Sequence, residues 1–396
     1  MSTSHEPGAR PGADVIPLCA PHIAGNEWQY VKACFDTGWV SSVGSYVDRF
    51  EAMLAARVGV KHAVATVNGT AALHIALLVA GVEPDDEVLM PGLTFVAPAN
   101  AVRYAGAWPV FFDVDERYWQ LDVDQVAAFL AQECSWRDGA LRNNATGRRV
   151  RALLPVHILG HPVAMDPLLE LARRYNLVVI EDATESLGAS YKGRPAGALG
   201  DIACFSFNGN KLITTGGGGM IVTDNADWSA RARYLTTQAK DDPVEYYHTE
   251  IGYNYRLTNV LAAFGVAQLE RLDDHIARKR EIAAAYAQAL GGAPGVQLMA
   301  ESPDAQSVFW MYTILLDQRR FRPDSRGVLR ALAEAKIQTR PLWHPIHRLP
   351  PFAQCQAYRI EVVDRLYREA LSLPCSVGLT HEQQQYVIGE LKRQLQ

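Results

Sequence analysis

Lys211 occupies an unusual place for a lysine. The stretch Phe205–Asp224, FSFNGNKLITTGGGGMIVTD, sets it between the apolar runs FSF and LIT rather than in a polar loop. A lysine held in a low-dielectric site loses proton affinity and becomes a nucleophile for carbonyl carbon. Ser206, five residues earlier, can donate its hydroxyl to a phosphate. The glycines Gly216 to Gly219 come after the lysine, and Leu212 stands where a phosphate-binding P-loop needs Ser or Thr, so a Walker-type site is excluded. Asp182 ends the apolar run VVIEDA, where a charge is costly without a partner. It serves either as a cap on the next turn or as the partner of a protonated ring nitrogen, and Glu185 follows three residues later. In Val67-Asn68-Gly69-Thr70-Ala71 a strand pattern runs straight into a helix pattern. The first amides of that helix favour an anion, unless Asn68 or Thr70 merely caps them.

Each feature is modest alone. Together, in the order helix start, strand-end aspartate, Ser-x4-Lys and glycine run, they match the needs of pyridoxal 5'-phosphate. Its phosphate requires a helix terminus and hydroxyls, its pyridinium nitrogen an aspartate, and its aldehyde a lysine. The glycines would let the backbone turn beneath the flat ring.

These residues must be positioned by a scaffold, and the chain's patterning supplies one. Residues 62–67, 87–91, 108–115, 152–157, 177–183, 202–208 and 219–223 read as strands, with a helix over 70–81. Strands apolar throughout and separated by helices predict a large, mostly parallel sheet covered on both faces. Polar residues gather where the runs end, at Asn68, Thr70, Thr94, Asp113, His157, Asp182 and Asn208, and in such sheets ligands bind beyond the carboxyl ends. His157 and His161, in PVHILGHP, fall at the pocket edge on this reading, in a structural role rather than a chemical one. Beyond residue 258 the character changes. Asn259 to Leu290 reads as one long linking helix. Strand candidates at 310–316 and 336–340, a helix near 325–335, the loop RPLWHPIHRLPPF and a terminal helix form a smaller α+β domain over 259–396. The large domain spans 16–258, and the Gly/Pro-rich residues 1–15 read as a disordered arm.

Composition excludes other classes. The chain has 396 residues and a net charge of -5 with no long basic run, which argues against nucleic acid as a partner. No run is apolar enough to span a bilayer, and no secretory h-region opens the chain, so a cytoplasmic protein without membrane contact is expected. The six cysteines lack any CxxC pair, so neither a metal site nor a disulfide framework is expected.

The blocks FSFNGNKLITTGGGGM, EDATESLGA, NGTAALHIAL and GYNYRLTNVLAAFGVAQLE resemble those of the DegT/DnrJ-type sugar aminotransferases, which share the type I aspartate-aminotransferase fold. The resemblance runs from about Ile16 onward. Residues 25–51 and TRPLW (339–343) are similar to the LegC-type branch, with its bacillosamine-pathway relatives. It implies that Lys211 joins the cofactor aldehyde and later moves protons, that Asp182 holds the ring nitrogen protonated, and that Phe95 stacks on the ring. Gly69, Thr70, Ala71 and Ser206 would surround the phosphate, with Glu185 near the ring's 3-hydroxyl. Asn254 would reach the phosphate of a second subunit, which implies a homodimer with shared sites. Among candidate substrate contacts, Arg340, Trp343 and His347 would meet the sugar or nucleotide and Arg256 a carboxylate or phosphate, a packing or surface role being open for each.

The implied activity is amino transfer from L-glutamate, released as 2-oxoglutarate, through pyridoxamine phosphate. The acceptor would be a nucleotide-linked 4-keto-6-deoxy sugar, a UDP-linked 2-acetamido-2,6-dideoxy-4-hexulose for surface-glycan (lipopolysaccharide, legionaminic acid or bacillosamine-type) biosynthesis. Alternatives are a 3-keto sugar, a GDP- or TDP-linked sugar, or a non-catalytic binding or regulatory protein of the same fold. The intact set Lys211, Asp182 and Ser206 argues against the last.

Overall fold

The computed structural model describes residues 15–320 and 324–395, so the arm expected over 1–15 lies, apart from Val15, outside the described residues. Seven strands of the N-terminal part are β1 His62–Thr66, β2 Glu87–Pro91, β3 Trp108–Phe112, β4 Val150–Leu153, β5 Val178–Asp182, β6 Ile202–Ser206 and β7 Gly219–Thr223. An edge strand, β8 Ala357–Tyr358, comes from the C-terminal part, and the sheet order is β1-β7-β6-β5-β4-β2-β3-β8. Only β7 runs against its neighbours, so the carboxyl ends of β1, β2, β5 and β6 lie on one edge.

The strands are apolar throughout because both faces are buried. Along β6, Ala203 and Phe205 enter one core while Ile202 and Cys204 enter the other. Along β7, Met220 and Val222 oppose Ile221 in the same way. This is the period-two alternation of a pleated strand with no solvent face. Helices cover both sides, as expected for a large, mostly parallel sheet with no solvent face. No helix among the described residues is long and apolar enough to cross a membrane.

Three element readings change. The expected single helix over 259–290 is two, Asn259–Leu269 and Leu272–Leu290. Arg271 leaves helical geometry at φ -107°, ψ 7°, and its side chain bonds Asp274 and the Ala24 carbonyl. The first helix is buried nearly all round, the second is amphipathic, and the break separates those environments. Residues 336–340 do not form a strand. Lys336 sits at φ 62°, which interrupts extended backbone, and only single bridges join Ile337 to Ile16 and Arg340 to Ser372. The three-stranded antiparallel C-terminal sheet instead takes Ala370–Leu373 beside Tyr312–Leu316, with Val296–Leu298 on the other edge. A hairpin, Cys134–Arg137 with Ala140–Asn143, was not legible in the sequence pattern.

Residues 16–20 pack against the C-terminal part. The Ile16 amide donates to the Lys336 carbonyl at 2.9 Å, the Cys375 amide to the Leu18 carbonyl at 2.8 Å, and the Ala20 amide to Ser376 Oγ at 2.8 Å.

Candidate active site

At the carboxyl edge of the sheet lies a cavity of about 330 Å³ whose lining includes Gly69, Thr70, Asp182, Glu185, Ser206 and Lys211. Asn68, extended at φ -168° and ψ 169°, caps the helix Gly69–Val79, its Oδ1 accepting the Ala71 amide at 2.8 Å. The cap consumes the Ala71 amide, and Ala71 is not among the lining residues. The amides of Gly69 and Thr70 stay at the helix start, where a helix offers no carbonyl partner and its dipole is positive.

Gly69 must be glycine. A Cβ there would stand 2.8 Å from Ser206 Cβ and 3.2 Å from Ser206 Oγ. Register explains the approach: Ser206 and Thr66 both pair with Gly219, so the end of β6 and the end of β1 flank one residue without a side chain. Backbone amides, the Thr70 side chain and the Ser206 hydroxyl thus form a cradle that a methyl group would fill. Such a cradle fits a phosphate. The glycine run has another role than the one expected. None of Gly216–Gly219 is among the lining residues. A Cβ at Gly219 would lie 2.4 Å from the Asn68 carbonyl oxygen and one at Gly218 2.3 Å from Thr215 Oγ1, while Gly216 turns at φ 82°. The run packs the β6–β7 connection against the helix cap.

Asp182 closes β5 and is buried, with Oδ1 accepting the Thr184 amide at 3.1 Å. Burial pushes its carboxyl above the usual range, against the opposing pull of Thr184 and the Lys211 charge. A buried carboxylate with so few donors, open to a cavity, fits a protonated ring nitrogen. Glu185 is buried too: its Oε2 accepts the Leu159 amide at 2.8 Å and its Oε1 lies 3.5 Å from Lys211 Nζ. Burial raises the Glu185 carboxyl and the Lys211 charge opposes that rise. On its other side, Lys211 Nζ stands 4.1 Å from the centre of the Trp310 ring. Trp310 stacks parallel to Trp343 at 6.3 Å, and its Nε1 donates to the Asn210 carbonyl at 2.7 Å. Phe95 is 51% exposed and meets Trp343 edge-on at 6.5 Å, so it is a cavity wall rather than a core aromatic.

Other sequence candidates lie elsewhere. Arg256 is not among the lining residues: its Nη1 donates to Glu51 at 2.7 Å and to the Ala65 carbonyl at 3.2 Å, which makes it the half-buried partner of a buried structural carboxylate. Arg340 is exposed and donates to the Thr339 carbonyl, while His347 lies 3.7 Å from Asp364, and neither lines the cavity. Asn254 is exposed on a segment bridged to Thr237, outside the lining. His157 is fully buried, its Nε2 2.9 Å from Glu181 and its Nδ1 accepting the Val163 amide at 3.1 Å. Its tautomer is therefore fixed for structure, not poised at the pocket edge. His161 is likewise engaged, with the Pro162 carbonyl and the Ser302 amide. Asp113 caps the helix Val362–Glu369, accepting the amides of Glu361, Val362 and Val363 at 2.6 to 2.8 Å.

Sequence reasoning missed Trp310, Thr184 and Asn210 as lining residues. Trp310 was legible only as part of a strand, yet the strand begins at Tyr312 and leaves the indole free to turn towards Lys211.

Residues 21–392 match the model of the DegT/DnrJ/EryC1/StrS aminotransferase family. The chain is 42% identical over 386 residues to a GDP-perosamine synthase of Caulobacter vibrioides, covering 96% of this chain and 98% of that one. It is 39% identical over 372 residues to a GDP-perosamine synthase of Escherichia coli O157:H7, covering 94% and 96%. Among solved structures it superposes on DesI, crystallised in the presence of its TDP-sugar product, with a TM-score of 0.85 at 30% identity over 96% of this chain and 93% of that one.

Proposed function

We propose, from the premise that this chain belongs to the DegT/DnrJ/EryC1/StrS aminotransferase family, that it moves an amino group from L-glutamate to the 4-keto carbon of a GDP-linked 4-keto-6-deoxy sugar. The broader statement, a sugar aminotransferase dependent on pyridoxal phosphate, follows from the family itself. One observation carries our reading of the site: Lys211, Asp182, Ser206 and the helix start at Gly69–Thr70 line one cavity.

Pyridoxal phosphate, when bound, supplies an electrophilic aldehyde and an electron-withdrawing ring. The chain's residues divide the remaining work. Gly69, Thr70 and Ser206 bind the phosphate dianion at a positive helix end. The Asp182 carboxylate accepts from the ring N–H and keeps that proton in place. Lys211 Nζ would hold the cofactor at its aldehyde carbon and would serve as the base that takes the proton from the donor's Cα and returns it on the sugar side. Glu185, 3.5 Å away, and the Trp310 face at 4.1 Å hold the freed amine within reach. Phe95, Trp310 and Trp343 line the same cavity, where Phe95 would offer an apolar face to the flat ring.

The two GDP-perosamine synthases favour GDP over the UDP-linked acetamido sugar expected from residues 25–51 and 339–343. Assembly as a homodimer, with Asn254 reaching the partner's phosphate site, is supported by the exposed apolar side chains of Trp28, Phe35, Trp39, Val43 and Ile251. The test offers the loaded enzyme L-glutamate with a GDP-linked or a UDP-linked 4-keto-6-deoxy sugar and follows the aminated product by mass spectrometry. Product from the GDP-sugar alone supports the proposal; product from the UDP-sugar alone overturns its choice of nucleotide.

A further inference from the structure

Lys279, on the helix Leu272–Leu290, is 1% exposed. Its Nζ donates to the Trp310 carbonyl at 2.7 Å and lies 3.5 Å from Cys375 Sγ and 3.7 Å from Cys19 Sγ. Among the described residues no carboxylate lies within ion-pair distance of it. A fully buried ammonium without an anion is expensive, and the groups at hand that can become one are the two thiols. Hydrogen bonds set the two cysteine segments side by side, the Cys375 amide donating to the Leu18 carbonyl and the Ala20 amide to Ser376 Oγ, so that both thiols face Lys279 Nζ. The thiol of Cys19, interacting with Cys375, together with the Lys279 charge draws Cys375 down to about 6, against its burial. Cys19 moves the opposite way, so the pair shares one thiolate. The other four cysteines lack this arrangement; burial pushes Cys134 up to about 12 and raises Cys34, Cys204 and Cys355.

We propose that Cys19, Cys375 and Lys279 form an oxidation site at which hydrogen peroxide converts the two thiols to a disulfide. The Cys375 thiolate attacks one peroxide oxygen, forming an S–O bond as the O–O bond breaks. The leaving hydroxide takes a solvent proton and departs as water. Cys19, the less buried of the two, then attacks the Cys375 sulfur. An S–S bond forms, the S–O bond breaks, and the second hydroxide leaves as water with the Cys19 proton. The two sulfurs lose two electrons and one peroxide becomes two waters.

The cavity reads the change through Asn210. Its carbonyl accepts from Cys19 Sγ at 3.2 Å and from Trp310 Nε1 at 2.7 Å, and the next residue is Lys211. A disulfide withdraws the Cys19 donor and strips Lys279 of its anion while Lys279 still holds the Trp310 carbonyl.

The test treats the reduced holoenzyme with one equivalent of hydrogen peroxide, alkylates the remaining thiols after denaturation, and maps peptides by mass spectrometry. Expected is a Cys19–Cys375 pair lacking two hydrogens, with Cys375 consumed at least about tenfold faster than Cys34 or Cys204. In Cys19→Ser a sulfenic-acid trap should label Cys375, and Lys279→Met should slow that labelling by about tenfold. Recovery of both thiols free while another cysteine oxidises, or wild-type reactivity in Lys279→Met, overturns the proposal. The wild-type map requires no variant to fold and does not depend on the aminotransferase reading.

Discussion

Asp182→Asn should separate the stability of the empty protein from its activity, in opposite directions. Asp182 is 2% exposed and its carboxylate accepts the Thr184 amide at 3.1 Å, a bond that an asparagine oxygen can keep. Because burial raises this carboxyl above its unfolded value, its favourable contribution is full below the unfolded pKa and is lost as pH rises through the folded one. Above the folded pKa the cofactor-free wild type bears a desolvated charge that asparagine removes. The cofactor-free variant should be more stable by about 1–2 kcal/mol, and that advantage should vanish in acid. With pyridoxal phosphate bound the balance inverts. The variant loses a buried charge pair, for which about 3–5 kcal/mol is typical. At 1.36 kcal/mol per tenfold, that is about a 10²- to 10⁴-fold loss in the glutamate half-reaction. Chemical denaturation of the cofactor-free proteins and stopped-flow bleaching of the loaded ones measure the two effects. A cofactor-free variant less stable than wild type above the folded pKa, or a half-reaction within tenfold of wild type, would refute the reasoning.

Other substitutions test the remaining structure. Glu181→Gln breaks a buried carboxylate that accepts from His157 and from the amides of Gly197, Leu199 and Gly200, and should cost about 3–5 kcal/mol in denaturant unfolding. Burial opposes ionisation of Glu181, but His157 and these amides hold it below its ordinary value. Its stabilisation should thus persist above the unfolded pKa and fade as pH falls through the lower folded one, narrowing the gap between wild type and variant. Gly69→Ala pushes a methyl group to 2.8 Å from Ser206 Cβ, and cofactor titration should show at least about a tenfold weaker Kd with an intact circular dichroism spectrum. Arg256→Ala should lower Tm by several degrees, from about 2–4 kcal/mol, with little change in sugar KM, because it leaves Glu51 short of a partner rather than emptying a sugar contact.

What could be read from the sequence was whatever each residue's own run announces. Asp182, Ser206 and Lys211 each follow an uninterrupted apolar strand, and Gly69 follows a strand that turns at once into a helix, so their convergence follows from a parallel sheet. Partners far away in sequence were not legible. Arg256 looked free because Glu51 lies 205 positions earlier, and Asp113 looked like a site residue because the helix it caps begins about 250 positions later. The glycine run looked like a cofactor feature because nothing local shows that Gly219 meets the Asn68 carbonyl oxygen. Trp310 was hidden by two residues of strand boundary, yet it sets the environment of the lysine.

The chemistry proposed for this site turns on Lys211 being the residue that holds the cofactor. Loading the protein with pyridoxal phosphate, reducing it with borohydride and mapping the modified peptide by mass spectrometry tests this in one step. A pyridoxyl-phosphate adduct is expected on the peptide carrying Lys211, and none in Lys211→Ala. An adduct confined to another lysine, such as Lys192 or Lys240, would contradict it.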